Sequence, residues 1–311
     1  MRVGQRAITV MLDRRRWLSL ASAGLAGLAQ TTPAQQASRR TIPRIGGAAL
    51  PPIGMGTWLT FNVSPNEFIE RAQRKLVLQR FFAAGGGMID SSPMYGHAER
   101  LVGDLLTEVE HSGKLYSATK VWTPLDRLGP GQLDDSLRLW RARQLDLVLV
   151  HNLLNWRAHL KTLRHAKEHG RVRAIGISTS HGRDHDEVQQ LIRNEPLDAI
   201  QITYNFADPS ADRVMNLAAQ KGVGVVVNRP FDGGSLFGQV GRKPLPAWAA
   251  EVDCANWAQF FLKWIISHPA VTCAIPATRN PRHMEQNMSA GLGRLPDAAQ
   301  RVRMQAYFAA V

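Results

Sequence analysis

The sequence predicts a single-domain α/β fold, a (β/α)8 TIM barrel, in which eight parallel strands alternate with helices. Two observations carry the prediction. Helix-like segments end at a glycine and are followed by a short apolar run, and this pair recurs regularly along the chain. The runs are apolar throughout, as expected for parallel strands that are buried on both faces. The alternative is a doubly wound open sheet, but no Gly-x-Gly-x-x-Gly motif follows any strand to support it.

Glycines mark the ends of the predicted helices, because glycine accepts the left-handed conformation that terminates a helix. The clearest helical segments are residues 67–84, 98–111, 157–169 and 210–221, which precede Gly85, Gly113, Gly170 and Gly222. The predicted strands are residues 53–56, 88–90, 115–119, 145–150, 174–177, 199–203, 223–227 and 272–275. Eight strands with helices between them favour a closed barrel over a sheet with two edges.

The charge of the chain is unevenly distributed. The 311 residues carry a formal net charge of +13, from 38 basic and 25 acidic residues. Residues 1–40 contain seven arginines and one aspartate, hence a charge of +6, and leave +7 for the remainder. The remaining basic residues are dispersed and are not interleaved with aromatic residues as in a nucleic-acid groove. The sequence therefore predicts no nucleic-acid partner.

The N-terminal segment has the pattern of an export signal. Residues 14–18 (RRRWL) precede an apolar stretch, 18–29, which is too short to span a bilayer but has the length of a signal-peptide core. The order Arg-Arg-x-aromatic-Leu resembles the twin-arginine translocation signal. We expect residues 1–40 to be signal peptide and linker, residues 41–311 to be the barrel, and the mature protein to be periplasmic without stable membrane insertion. A non-functional signal would leave it cytoplasmic, and the cleavage site and true start stay open.

The two cysteines, Cys254 and Cys273, lie in apolar surroundings and are predicted to be buried free thiols. Neither a Cys-x-x-Cys nor a His-Glu-x-x-His motif occurs, so no zinc site is predicted.

Polar residues recur where the apolar strands stop. Asp90, Lys120 and His151 follow three consecutive predicted strands. The corresponding positions of the other strands hold Trp58, Ser178, Gln201, Asn228, Arg229, Thr278 and Arg279. Because the active sites of barrels form at the C-terminal ends of the strands, these residues are the candidates for a common site.

The segment 89–96 (IDSSPMYG) resembles the aldo-keto reductase signature, in which Tyr-Gly begins five residues after an Asp. Lys120 in SATKVW and His151 in LVLVHN are similar to the third and fourth residues of that family's catalytic set. The segments IGMGTW, AIGIS and IPAT…NP follow in the family order, so the resemblance extends over about residues 41–290. It implies a TIM barrel that reduces a small aldehyde or ketone to an alcohol by hydride transfer. The implied cofactor is NADPH, with NADH as a second possibility, and no metal is implied.

The resemblance assigns each of four residues a role that fits its chemistry. Tyr95 is expected to be the general acid that protonates the alkoxide, and Lys120 is expected to lower its pKa. Asp90 is expected to hold the Lys120 ammonium, and His151 to hydrogen-bond the carbonyl oxygen. The alternative is that Asp90 and Lys120 form only a structural ion pair and that His151 is a core residue.

The resemblance also implies which residues surround the cofactor and the substrate. The expected cofactor contacts are Thr57, Ser178, Thr179, Gln201, Asn228, Arg229, Thr278, Arg279 and Asn287. Trp58 and Trp122 are the expected substrate contacts. Thr179 stands where the family usually has Asn, and Asn228 stands where a Tyr often stacks on the nicotinamide.

Two other functions are consistent with the sequence. A cofactor-binding sensor or regulatory subunit with little turnover would keep the same residues. A metal-dependent hydrolase is suggested by His181 and His185, but the chain offers no complete ligand set for it. The substrate, the recycling of the cofactor outside the cytoplasm and the oligomeric state stay open.

Overall fold

A computed structural model describes residues 40–41, 49–111 and 113–311 of the chain. The predicted signal and linker, residues 1–40, lies outside the described residues except for Arg40. Residues 40–41 and 49–50 form β1 (Arg40–Thr41) and β2 (Ala49–Leu50), which pair antiparallel.

The central element is an eight-stranded parallel sheet in which the strands are ordered as in the sequence. Its strands are β3 (Met55–Gly56), β4 (Met88–Asp90), β5 (Tyr116–Val121), β6 (Leu145–His151), β7 (Val172–Ser178), β8 (Ala199–Thr203), β9 (Gly224–Asn228) and β10 (Cys273–Ala274). Each strand begins and ends within two residues of its predicted bounds. The first and last strands, β3 and β10, are shorter than predicted.

The sheet closes on itself, which confirms the predicted barrel. Ile53 and Ala274 form one parallel bridge between the first and last strand regions, and Gly56 and Ala277 form a second. The backbone N–H of Gly54 donates to the Ala274 carbonyl at 2.8 Å. Glycine is required at 54 and 56, because a Cβ there would lie 2.9 and 2.8 Å from the carbonyl oxygens of Met88 and Ile275.

Helices follow the strands and cover the barrel. They are α1 (Phe68–Ala83), α2 (Ala98–Leu106), α3 (Gly129–Leu139), α4 (Trp156–Glu168), α5 (His185–Asn194), α6 (Asp212–Gln220), α7 (Ser235–Val240), α8 (Trp257–Ile266), α9 (Pro281–Ser289) and α10 (Ala298–Ala309). Gly170 and Gly222 follow α4 and α6 with φ of 70° and 69°, as the predicted helix ends require. Helix α2 is shorter than predicted.

Side chains alternate along the strands between the barrel interior and the helices. In β5, Ala118 belongs to the interior apolar cluster, and Lys120, two residues further, shares its direction. The strand register then aligns the ends of neighbouring strands. His151, Ser178 and Gln201 are paired in one row across β6, β7 and β8. The fold therefore gathers the predicted residues at one rim.

Both cysteines are buried and free, as expected. No helix in the described part of the chain is both long and apolar enough to cross a membrane.

Candidate active site

A fully buried ion pair lies at the centre of the site. The Nζ atom of Lys120 donates to both carboxylate oxygens of Asp90, at 2.9 and 2.7 Å, and to the Ser91 carbonyl at 2.7 Å. The Lys120 side chain is 0 % exposed and that of Asp90 is 3 % exposed. Burial alone lowers the pKa of Lys120, but the charges of Asp90 and Tyr95 oppose it and the net pKa is raised. Lys120 is therefore a permanent cation.

Tyr95 lies against this cation. The Nζ atom of Lys120 is 5.1 Å from the centre of the Tyr95 ring. The turn that carries Tyr95 ends at Gly96, which has a φ of 62° and leaves no space for a Cβ beside the Asn62 side chain. The Tyr-Gly pair of the sequence motif is thus a consequence of the tight packing of this turn.

The pKa of Tyr95 differs in its net direction from the sequence-based expectation. Burial raises the pKa, and this effect outweighs the lowering caused by the charge of Lys120. Lys120 does stabilise the phenolate, as expected, but the net pKa lies above its ordinary value. Tyr95 is consequently a protonated phenol at neutral pH.

His151 is a neutral imidazole. Burial, together with the positive charges of Lys120 and Arg183, lowers its pKa to about 3. Its Nδ1 atom is 2.7 Å from the Ser178 hydroxyl. A neutral ring with one nitrogen held in this way can offer the other nitrogen to a substrate.

Three residues expected to bind the cofactor also contact Asp90 or His151 in this structure. Gln201 donates from Nε2 to Asp90 at 2.8 Å, and Ser178 contacts His151. Thr57 likewise donates to the Asp90 carbonyl at 3.0 Å. These three side chains position Asp90 and His151 in this structure.

A cavity of about 400 Å³ opens at the same rim. The predicted residues that line it are Thr57, Trp58, Asp90, Tyr95, His151, Gln201, Asn228 and Arg229. Lys120 lies beneath the cavity surface. Ser178, Thr179, Thr278, Arg279, Asn287 and Trp122 are described but are not part of the lining.

The two predicted substrate tryptophans differ in position. The indole of Trp58 lines the cavity and lies 5.4 Å from the guanidinium carbon of Arg229. Trp122 is 40 % exposed, and its backbone N–H donates to Gln132. Trp58 therefore lines the cavity, whereas Trp122 does not.

Arg229 contributes a positive charge to the lining of the cavity. Its Nη2 atom pairs with Asp232 at 2.9 Å, while its buried Nε atom has no hydrogen-bond partner among the described residues. Beside it, Gly233 and Gly234 both have positive φ and bring bare backbone to the cavity. An unsatisfied guanidinium N–H next to glycine backbone fits a phosphate-bearing cofactor.

Comparison with known proteins decides the family. The sequence model of the aldo/keto reductase family matches residues 52–301. The chain belongs to this family. The prediction made from the Asp90, Tyr95, Lys120 and His151 motifs is thereby confirmed at the level of the family.

Two curated relatives in this family come from Escherichia coli. The methylglyoxal reductase YeaE is 25 % identical over 248 residues, which cover 78 % of this chain and 86 % of the relative. Pyridoxine 4-dehydrogenase is 25 % identical over 236 residues, which cover 69 % and 79 %. An aldo/keto reductase from Klebsiella pneumoniae, solved with NADP and acetate, has the same fold with a TM-score of 0.71. It is 20 % identical, and the match covers 87 % of this chain and 96 % of that one.

The remaining residues predicted from the reductase motifs follow β7 or β10 or lie in α9. Thr179 accepts a hydrogen bond from Asn228 through its carbonyl, and Asn228 accepts one from Thr203. Thr278 is buried and accepts from the Asn280 backbone, whereas Arg279 is exposed. Asn287 lies buried in α9.

Sequence reasoning missed several residues that line the reductase cavity, namely Met94, Asn152, Ser180, Arg183 and Phe237. Asn152 directly follows β6 and could have been found by the strand-end rule. The others lie in loops or in α7, where no apolar run marks their direction.

Potential metal ligands lie elsewhere. In the part of the chain that the structure describes, one group of three, His165, Glu168 and His169, has ligand atoms within 4.8 Å of one another. It is exposed at the end of α4 and is not part of the cavity lining. His181 lines the cavity, and His185 begins α5.

Proposed function

We propose that this protein is an NADPH-dependent carbonyl reductase that converts a small aldehyde or ketone to an alcohol, with Tyr95 as the proton donor. The observation that carries the proposal is the buried Lys120–Asp90 ion pair against the Tyr95 ring, beside His151 in one cavity. The reductase relative and the NADP-bound neighbour of the same family support it.

Proton donation falls to Tyr95. Reduction of a carbonyl leaves an alkoxide, and the Tyr95 hydroxyl transfers its proton to that oxygen. Because burial raises the Tyr95 pKa, the donor is in its protonated form throughout the neutral range. The Lys120 cation stabilises the phenolate that remains, and Asp90 keeps this cation in place.

His151 orients the substrate carbonyl. When the Ser178 hydroxyl donates to Nδ1, the imidazole proton lies on Nε2. From there it can donate to the carbonyl oxygen without adding a positive charge. The low pKa of His151, about 3, keeps the ring from competing with Tyr95 as a proton source.

The residues present fit a phosphorylated nicotinamide cofactor, which supplies a hydride when bound. Arg229, through its unpartnered Nε atom, is positioned for a phosphate of the dinucleotide. Arg279 would hold the 2′-phosphate together with Thr278, and Asn287 would contact the adenosine end. The charge of Arg279 also acts on a second cation, Arg74. Burial lowers the Arg74 pKa, and the charge of Arg279 lowers it further. A phosphate near these two cations would be favourable, and this supports NADPH over NADH.

The Tyr95→Phe variant tests the reductase function. We expect kcat for a panel of small aldehydes to fall by about 10²- to 10⁴-fold, the range typical of a lost general acid. The NADPH dissociation constant should stay unchanged, since the ring is retained. NADPH oxidation, followed by absorbance, gives the first quantity and cofactor fluorescence gives the second.

One result of this experiment would contradict the reductase function. If NADPH binds but the wild type reduces no carbonyl faster than Tyr95→Phe does, the protein is a cofactor-binding sensor and the reductase proposal is wrong.

We further propose that residues 1–40 direct export by the twin-arginine pathway. The support is the RRRWL sequence before the short apolar stretch, together with the concentration of positive charge in this segment. That pathway carries folded proteins, so NADPH could be loaded before export. Replacing Arg14 and Arg15 with Lys should leave the protein in the cytoplasmic fraction, whereas the wild type should be periplasmic. Equal distribution of both would contradict export.

A further inference from the structure

The loop between β7 and α5, residues 179–184, is held in a defined conformation at the cavity mouth. His181 and Gly182 have positive φ of 65° and 59°. The His181 backbone N–H donates to the Thr203 hydroxyl at 3.0 Å, and the Ser180 hydroxyl donates to Asn152 at 3.1 Å. These bonds hold the loop against the ends of β6 and β8, the two strands that flank β7. The backbone positions from which its side chains extend are therefore fixed relative to the site.

Arg183 is the cation that this loop presents to the cavity. Its Nε atom donates to the Ser180 carbonyl at 2.9 Å, which directs the guanidinium. Within the described residues, its Nη atoms have no ion pair with a carboxylate. The carboxylate of Asp208, which packs against Gly182, is instead engaged by the Ser210 hydroxyl.

The other two cations at the cavity already have acidic partners. Lys120 is paired with Asp90 at 2.7 Å, and Arg229 is paired with Asp232 at 2.9 Å. Arg183 therefore supplies a positive charge that has no acidic partner among the described residues. The positive charge of Arg183 also acts on His151. It is the third cause of the low pKa of that ring, after burial and the charge of Lys120.

We propose that Arg183 binds a carboxylate on the substrate, so that the enzyme prefers aldehydes or ketones carrying an acid group at the end remote from the carbonyl. Tyr95 and His151 would hold the carbonyl, and the Arg183 guanidinium would hold the acid through a charge-assisted, bidentate contact. This inference rests on the proposed reductase function. It extends that function from a reaction to a class of substrate.

A pair of matched substrates tests the proposal. 4-Carboxybenzaldehyde and its methyl ester share the ring and the aldehyde and differ in the negative charge. We expect the wild type to have a lower KM for the acid than for the ester. In Arg183→Gln the KM for the acid should rise about tenfold or more, while the KM for the ester changes less than about twofold. Arg183→Lys should retain part of the preference, because it keeps the charge but not the fork.

The matched control is Arg138→Gln, which makes the same change at an exposed arginine on α3 that pairs with Asp135. It should leave both KM values unchanged. Equal changes for acid and ester in Arg183→Gln, or no preference in the wild type, would overturn the proposal. A rise in the NADPH dissociation constant without a change in acid preference would also overturn it and assign Arg183 to the cofactor.

Failure of the reductase function can be separated from failure of this inference. If neither aldehyde is turned over faster than by Tyr95→Phe, the binding of 4-(hydroxymethyl)benzoate is measured by quenching of tryptophan fluorescence, since Trp58 lines the cavity. Binding to the wild type that Arg183→Gln weakens about tenfold supports the carboxylate site. Equal binding to both, or none to either, refutes it.

Discussion

Lys120 and Asp90 form a pair whose members are stable in the barrel only together. Each is buried, and a buried charge without its partner is strongly unfavourable. The same burial makes the pair useful, since an ammonium shielded from water acts strongly on a neighbouring phenol. At this scale the chemistry of the site and the stability of the fold depend on the same atoms.

Removing the cation should therefore destabilise the protein as well as inactivate it. We expect Lys120→Met to lower the free energy of unfolding by about 3–5 kcal/mol, because Asp90 would remain buried and unpaired. The matched variant Arg138→Met removes an exposed pair and should change it by less than about 1 kcal/mol. Urea unfolding measures both. Equal effects of the two variants would show that water reaches Asp90.

His151 should make stability depend on pH. Its pKa is about 3 in the folded protein and near 6.5 in the unfolded chain, so the unfolded chain binds the proton between these values. The contribution is fully present above pH 6.5 and is lost as the pH falls towards 3. We expect this residue to contribute a slope of up to about 1.4 kcal/mol per pH unit. Urea unfolding between pH 7 and 4 should show that slope in the wild type and its absence in His151→Gln. If the free energy of unfolding changed with pH in the same way in both proteins, the His151 ring would be hydrated in the folded protein.

At the scale of the element, helices α2 and α3 approach so closely that one glycine is obligatory. A Cβ on Gly103 would lie 1.9 Å from the carbonyl oxygen of Leu139. Helix α3 also packs against β5, the strand that carries Lys120. Nothing in the local sequence reveals it, because a glycine inside a helical pattern gives no hint of what packs against it.

We expect Gly103→Ala to lower the free energy of unfolding by about 1–3 kcal/mol, since α2 and α3 must separate to admit the methyl group. Gly131→Ala is the matched control, because a Cβ there meets nothing within 4 Å. It should be neutral or stabilise the protein by up to about 1 kcal/mol, as alanine is the better helix former. Thermal unfolding of both variants distinguishes packing from propensity. A Gly103→Ala variant as stable as the wild type would contradict the close approach.

The elements also show where sequence reasoning ends. Apolar runs predicted the strands, and the rule that chemistry follows their ends led to Asp90, Lys120 and His151. The direction of a side chain beyond the strand was not predictable. Gln201 donates a hydrogen bond to Asp90, and Trp122 does not line the cavity. Such choices depend on contacts between distant segments, which a periodic pattern does not encode.

At the scale of the whole molecule, cofactor binding should increase the stability of the folded protein. A ligand that binds only the folded protein adds about 2.7 kcal/mol at a concentration 100 times its dissociation constant. We expect NADPH to raise the melting temperature more than NADH does at equal concentration, because only NADPH carries the 2′-phosphate that Arg279 is proposed to bind. In Arg279→Gln the difference should shrink. Equal shifts from both cofactors in the wild type would contradict the proposed preference.

The bridges between Ile53 and Ala274 and between Gly56 and Ala277 set an order of events during synthesis. Ile53 leaves the ribosome well before Ala274, the residue with which it pairs when the barrel closes. Until then the growing sheet exposes an edge, and the rim that holds Asp90, Lys120 and His151 is incomplete. The ring can therefore close only after Ala274 and Ala277 have been synthesised. A cofactor that needs the whole rim cannot be captured before that point.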